Sequence, residues 1–191
     1  MPSNGVLPPR NRLVADRRPL VNRLARLRVP LGFASAIVVL WLAQPTRASL
    51  VWGTSIATIG EALRVWAAGH LNKSREVTMS GPYRWLAHPL YAGSSVMGAG
   101  LAVAAHSRLV ALLIVAYLAV TLTAAIKSEE AFLRAKFGGD YDRYRRGAKR
   151  AASPRPFSLR QALANHEPRA IAGLALAVLL LFLKATYNGL F

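Results

Sequence analysis

The chain has 191 residues, of which 53% are hydrophobic and 17% charged, so a single domain is expected, with fewer charges than the quarter or so usual in a soluble one. It contains no cysteine, which excludes disulfides, a thiol nucleophile and any cysteine-ligated metal. A net charge of +17 admits either nucleic acid or an anionic membrane surface as partner, and the placement of the charges decides between them.

Residues 1–28 form an arginine-rich arm with prolines at 2, 8, 9 and 19, expected to lie on the cytoplasmic side. Five apolar runs follow, at 29–44, 50–71, 89–105, 109–127 and 170–187. Their lengths bracket the ~20 residues that span a bilayer as a helix. The first run also resembles the core of a signal peptide, but Pro45-Thr46-Arg47 is a poor cleavage site, so it is read as a retained span. Seven Lys or Arg precede residue 29, three lie in 72–88 and eleven in 127–169, whereas the turns 45–49 and 106–108 hold one each. Cytoplasmic loops carry the basic excess. The expectation is therefore an all-α, polytopic integral membrane protein of about five transmembrane helices. Its N-terminus and the polar region after residue 127 are cytoplasmic, and its C-terminus is on the opposite side. The membrane belongs to the bacterial inner or endomembrane type. Because the basic residues flank spans, headgroups account for them and no nucleic-acid partner is expected. Residues 29–191 read as one domain, with no internal repeat.

Within these runs, Pro45 stops the first helix. Glu61 and Arg64, three apart in the second, can pair on one face. Ser94 and Gly98 have the spacing that lets helix backbones approach in lipid. The helix begun at 109 continues past the membrane surface to Gly138-Gly139. A short surface helix is expected within 157–166.

The densest chemistry lies in Gly81-Pro82-Tyr83-Arg84-Trp85-Leu86-Ala87-His88-Pro89-Leu90-Tyr91-Ala92-Gly93. A residue before proline is pushed out of the α region, and proline is favoured at the first helical position. His88 is thus expected at the N-cap, with the free N–H groups of Leu90, Tyr91 and Ala92 forming an anion-binding corner. Downstream, Glu129 has Ala125, Ile126, Phe132 and Leu133 as its helical neighbours, which places it on a buried stripe. Glu130 has Lys127 and Arg134 in salt-bridge register, as a surface carboxylate would. An anion corner, a carboxylate and the aromatic rings of Tyr83, Trp85 and Tyr91 suit an amphoteric ligand with a flat ring, such as S-adenosylmethionine.

The run at 81–93, the pair Glu129-Glu130 and Phe137-Gly138-Gly139-Asp140-Tyr141-Asp142-Arg143-Tyr144 resemble the isoprenylcysteine carboxyl methyltransferase family, part of a wider group that includes phospholipid N-methyltransferases. The resemblance covers roughly residues 69–156. It implies an integral-membrane fold that uses S-adenosylmethionine, contacted by Tyr83, His88, Pro89, Leu90, Tyr91 and Glu129, with Glu130 as a second carboxylate. It also implies that Arg75, Glu76, Val77 and Thr78 line the cofactor. Two positions depart from the family pattern. Ala87 stands where an arginine precedes His-Pro, and the family's substrate-side arginine falls near Ala125, leaving Lys127 as the nearest cation, with Lys73 or Arg75 as substitutes. Lys127 and Glu129 are accordingly the candidate catalytic residues. Glu129 is expected to hold the ribose or amino group of the cofactor, His88 its carboxylate, and Lys127 an acidic lipid-like acceptor entering from the bilayer. No metal is expected. The competing readings are a phospholipid N-methyltransferase, an NADPH-dependent sterol or enone reductase, and a non-catalytic membrane scaffold.

Overall fold

The computed structural model describes residues 36–73, 75–147 and 155–189. The basic arm at 1–28 and the start of the first apolar run lie outside the described residues. Contacts divide the chain into residues 1–41, of which the described part, 36–41, is helical, and residues 42–191, which hold every element that follows. Among the described residues there are helices and no strands, as the apolar periodicity predicts.

Helix α1 runs Arg47–His70 and opens on a reciprocal cap. The Ser49 amide donates to Thr46 Oγ1 at 3.1 Å, and the Thr46 amide donates to Ser49 Oγ at 2.9 Å. A 3₁₀ turn, Gly81–Arg84, leads into α2, Pro89–Ala105. Helix α3 runs Arg108–Phe137, α4 Gly139–Arg145, α5 Leu159–Ala164 and α6 Glu167–Tyr187. Helices α3 and α6 are long and apolar enough to cross a membrane, α2 is shorter at 17 residues, and α1 carries Glu61 and Arg64 within it. Thirty residues make α3 about 45 Å long, against a hydrocarbon core of about 30 Å, so its last turns extend well beyond the apolar run that ends at Lys127.

Helices α1 and α2 pack antiparallel through glycines on both sides. A Cβ on Gly100 would stand 2.3 Å from the Ala57 nitrogen, and one on Gly60 would stand 2.4 Å from the Met97 nitrogen. The sequence expectation located this contact at Ser94 and Gly98. Instead Gly53 and Gly60 meet Gly93 and Gly100, both pairs seven apart, while Gly98 faces Leu118 of α3. A seven-residue repeat keeps one stripe facing its partner over two turns, so four glycines carry the seam where a single pair was expected.

The C-terminus of α1 is finished by another part of the chain. Its last carbonyls have no intrahelical donor. Asn165 Nδ2 donates to Ala68 O at 2.8 Å and to Leu71 O at 2.9 Å, and Gln161 Nε2 donates to Leu71 O at 2.9 Å. The short helix expected within 157–166 is thus present as α5, and it anchors the loop that leaves α1.

Glu61 and Arg64 do pair, at 3.4 Å, but Arg64 reaches further than its own helix. Its Nη2 contacts both carboxylate oxygens of Glu167 at 3.1 Å, and its Nη1 donates to Ser94 Oγ. One guanidinium therefore joins α1, α2 and α6, a use of the planar fork that a lysine could not reproduce. Arg64→Met leaves Glu61 and Glu167, only 6% and 5% exposed, without their cation. The expected loss is about 3–5 kcal/mol, read as a lowered midpoint in denaturation of the detergent-solubilised protein.

Candidate functional site

A cavity of about 600 Å³ opens where the loop after α1, the 3₁₀ turn, the first turn of α2, the far end of α3 and α4 meet. That size lies in the ordinary range of about 300–1,000 Å³ for small-molecule sites. The loop supplies Lys73, Glu76, Val77 and Thr78, and the turn supplies Tyr83. Helix α2 adds Leu90 and Tyr91. Helix α3 presents Ala125, Ser128, Glu129, Phe132 and Leu133, all on one face at the spacing a helix requires.

The loop is braced from within. The Asn72 amide donates to Thr78 Oγ1 at 3.3 Å, Asn72 Nδ2 donates to Glu76 Oε1 at 3.4 Å, and Arg155 pairs with Glu76 at 3.2 Å. Gly81 opens the 3₁₀ turn at φ 56°, and a Cβ there would collide with the His70 ring at 2.3 Å. Both its conformation and its packing therefore require glycine. Gly138, at φ 48°, ends α3 and lets α4 fold back. Helix α4 is then tied to the turn, because Tyr144 Oη donates to Tyr83 O at 3.0 Å and to Leu86 O at 3.3 Å. Burial pushes the Tyr144 phenol up to about 12, so this hydroxyl remains a donor at neutral pH. Burial, with Glu129 next in weight, also raises Tyr83, keeping a second neutral phenol on the cavity wall.

His88 sits at the N-cap of α2 with Pro89 at the first helical position, as proline stereochemistry predicts. Its side chain, however, caps nothing. Nε2 lies 3.2 Å from Glu130 Oε1, and Nδ1 lies 3.8 Å from Glu129 Oε2. The two ring nitrogens face different carboxylates, so these three residues do not converge on one point as metal ligands would. Glu129, Glu130 and burial act together on the imidazole, and the carboxylates prevail, raising its pKa above the ordinary 6.5.

Several sequence expectations are corrected here. Helical periodicity made Glu129 the buried carboxylate and Glu130 the surface one, yet the Glu130 side chain is 16% exposed and that of Glu129 38%. Glu130 is the deeper because His88, Arg145 at 3.1 Å and Arg134 at 3.7 Å all converge on it. Glu129 instead opens into the cavity. The Ala92 amide, expected to be free, donates to His88 O at 3.1 Å, which leaves Leu90 and Tyr91 for the anion corner. His88, Pro89 and Glu130 stand behind the cavity wall and do not line it. Arg75 and Lys127 are exposed and outside it. The structure brings Glu76, Val77, Thr78, Tyr83, Leu90, Tyr91 and Glu129 around one space, with Ala87 and Ala125 also on its wall.

Tyr141 and Tyr144 were not singled out from the sequence, though both line the cavity. Their three-residue spacing in a short helix after a glycine stop was the available signal.

The raised pKa of His88 sets a pH dependence. A group whose pKa is higher in the folded chain contributes stability that is complete below its unfolded value, here about 6.5, and is lost as the pH rises through the folded value. The thermal midpoint should therefore decline as the pH is taken upward from 6.5, and His88→Gln should flatten that decline. A wild-type midpoint that rose across the same range would contradict the assignment of His88 as an imidazolium between two carboxylates.

Residues 48–140 match the family model described as phospholipid methyltransferase. The nickel-cobalt-cadmium resistance protein NccN of Alcaligenes xylosoxydans xylosoxydans is 31% identical over 108 residues, which cover 56% of this chain and 49% of that protein. The chain thus spans about half the length of this curated relative, 49%. No solved structure matches. The matched segment contains nearly all of α1, all of α2 and α3, and every cavity-lining residue except Tyr141 and Tyr144. Over residues 48–140, just under half of its length, this chain is similar to the phospholipid methyltransferase family.

Proposed function

We propose that this protein is an integral-membrane methyltransferase that moves a methyl group from S-adenosylmethionine to a lipid-borne acceptor. The observation that carries the reading is the cavity within the family segment, where Glu129 opens beside Tyr91 and between the phenols of Tyr83 and Tyr144. A carboxylate suits the ribose hydroxyls or the amino group of the cofactor, and the aromatic and apolar wall suits its base. The transfer is an in-line displacement. The sulfur–methyl bond breaks with its electron pair returning to sulfur, while a lone pair on the acceptor forms the new bond. Alignment and exclusion of water are the main demands on the protein.

The resemblance implies a carboxylate acceptor of the isoprenylcysteine type. A phospholipid amine is the second candidate, and one observation favours it. Ala87 and Ala125, where the family pattern has arginines, are both on the cavity wall, Lys127 and Arg75 lie outside it, and of the cations considered for an acidic acceptor only Lys73 lines it. With an amine, positive charge passes from sulfur to nitrogen and stays near Glu129, so no cation is required on the acceptor side. In the proposed topology the chain crosses the membrane five times with its N-terminus cytoplasmic, and the cavity lies at the cytoplasmic surface within reach of acyl chains.

The purified protein is expected to bind S-adenosylhomocysteine and to label phosphatidylethanolamine vesicles with the cofactor's radioactive methyl group. Glu129→Ala should weaken that binding about ten-fold or more, as expected for a lost charge-assisted hydrogen bond. Labelling of a farnesylcysteine derivative in place of the amine lipid would return the acceptor to the carboxylate class. Binding of NADPH without S-adenosylhomocysteine would replace the methyltransferase reading with a reductase.

A further inference from the structure

We infer that Lys73 is the residue that binds the carboxylate of the cofactor's amino-acid arm. The inference rests on the methyltransferase reading and assigns that site a residue which sequence reasoning placed elsewhere.

A cofactor carboxylate taken into a partly closed cavity needs a cation or several donors to replace water. His88 was expected to supply one, but both its ring nitrogens face carboxylates and it does not line the cavity. Arg134 and Arg145 are committed to Glu130, with Arg134 also 3.5 Å from Asp142. Arg155 is committed to Glu76. Among the described residues that line the cavity, Lys73 is the sole lysine or arginine. No carboxylate among the described residues lies within ion-pair distance of it, although its charge reaches Glu129 through the cavity.

The backbone beneath Lys73 is held in place. Leu71 O accepts from Gln161 and Asn165, and Asn72 is fastened to Thr78 and Glu76. The ammonium therefore hangs on a long stem from a fixed point and shares the cavity lining with the carboxylate of Glu129, on which its charge acts. A cation and a carboxylate in the lining of one cavity match a ligand that carries a carboxylate at one end and ribose hydroxyls further along. The amides of Leu90 and Tyr91 in the first turn of α2 are available to share the anion.

An anionic group could also come from the acceptor, as a lipid phosphate, and the test separates the two sources. Calorimetry of the full chain in lipid nanodiscs compares S-adenosylhomocysteine with 5′-methylthioadenosine, which keeps the nucleoside and sulfur but lacks the amino-acid arm. Lys73→Ala is expected to weaken S-adenosylhomocysteine about ten-fold or more and to leave 5′-methylthioadenosine within two-fold. Lys73→Arg, which keeps the cation, should restore most of the loss. Equal weakening of both ligands by Lys73→Ala, or no change in either, overturns the assignment while leaving the methyltransferase reading intact. So does a variant that raises only the KM of the acceptor, since that places Lys73 on a lipid phosphate. Absence of S-adenosylhomocysteine binding in the wild-type chain overturns both.

Discussion

The close approach of α1 and α2 is the contact on which the remaining geometry depends. It requires glycine on both helices, because a Cβ at Gly60 or Gly100 would enter the opposing backbone. Between helices in lipid, hydrophobic burial contributes little and close backbone packing takes its place. With the two backbones in contact, Arg64 of α1 lies beside Gly93 and reaches Ser94 and Glu167. That ionic junction fixes the N-terminal half of α2, and with it the height at which His88, Leu90 and Tyr91 stand against α3. The cavity exists because this end of α2 is held while the connecting loop, anchored by α5, runs around it.

Charge is distributed around the cavity in two layers. His88, Glu130, Arg134 and Arg145 form the outer layer and are largely satisfied by one another. Glu129 and Lys73 form the inner layer and line the cavity. The outer layer holds α3, α4 and the N-cap of α2 together. The inner layer is where a ligand would meet charge that borders the cavity. His88 belongs to both in effect, because its imidazole sits between Glu130, which is structural, and Glu129, which lines the cavity. In this arrangement His88 acts as a positioning residue for the carboxylate that faces the cavity.

Much of the architecture was legible beforehand. Apolar runs, proline stops and glycine caps located the ends of α1, α2, α3 and α6 to within three residues, and the pre-proline rule located the N-cap at His88. Glu129 was on the correct helical face, since Ala125, Phe132 and Leu133 accompany it in the cavity. Its burial relative to Glu130 was not legible. Helical periodicity considers only neighbours on the same helix, and the groups that bury Glu130 come from α4 and from the residue before α2. The glycine seam was likewise half visible, because spacing within α2 does not reveal which of its faces meets α1 and which meets α3.

The sequence by itself determined the helices, their ends and the cluster of residue types that make a family match over 48–140, because these follow from local stereochemistry and from periodicity along one chain. Only the tertiary structure decided which ionisable groups are spent on one another and which remain for a ligand. Pairing between side chains 42 residues apart, as in His88 and Glu130, or 103 apart, as in Arg64 and Glu167, depends on helix contacts that no local rule encodes. That selection moved His88 behind the cavity wall, left Lys127 outside it, and made Lys73 the one lysine or arginine among the described residues of its lining.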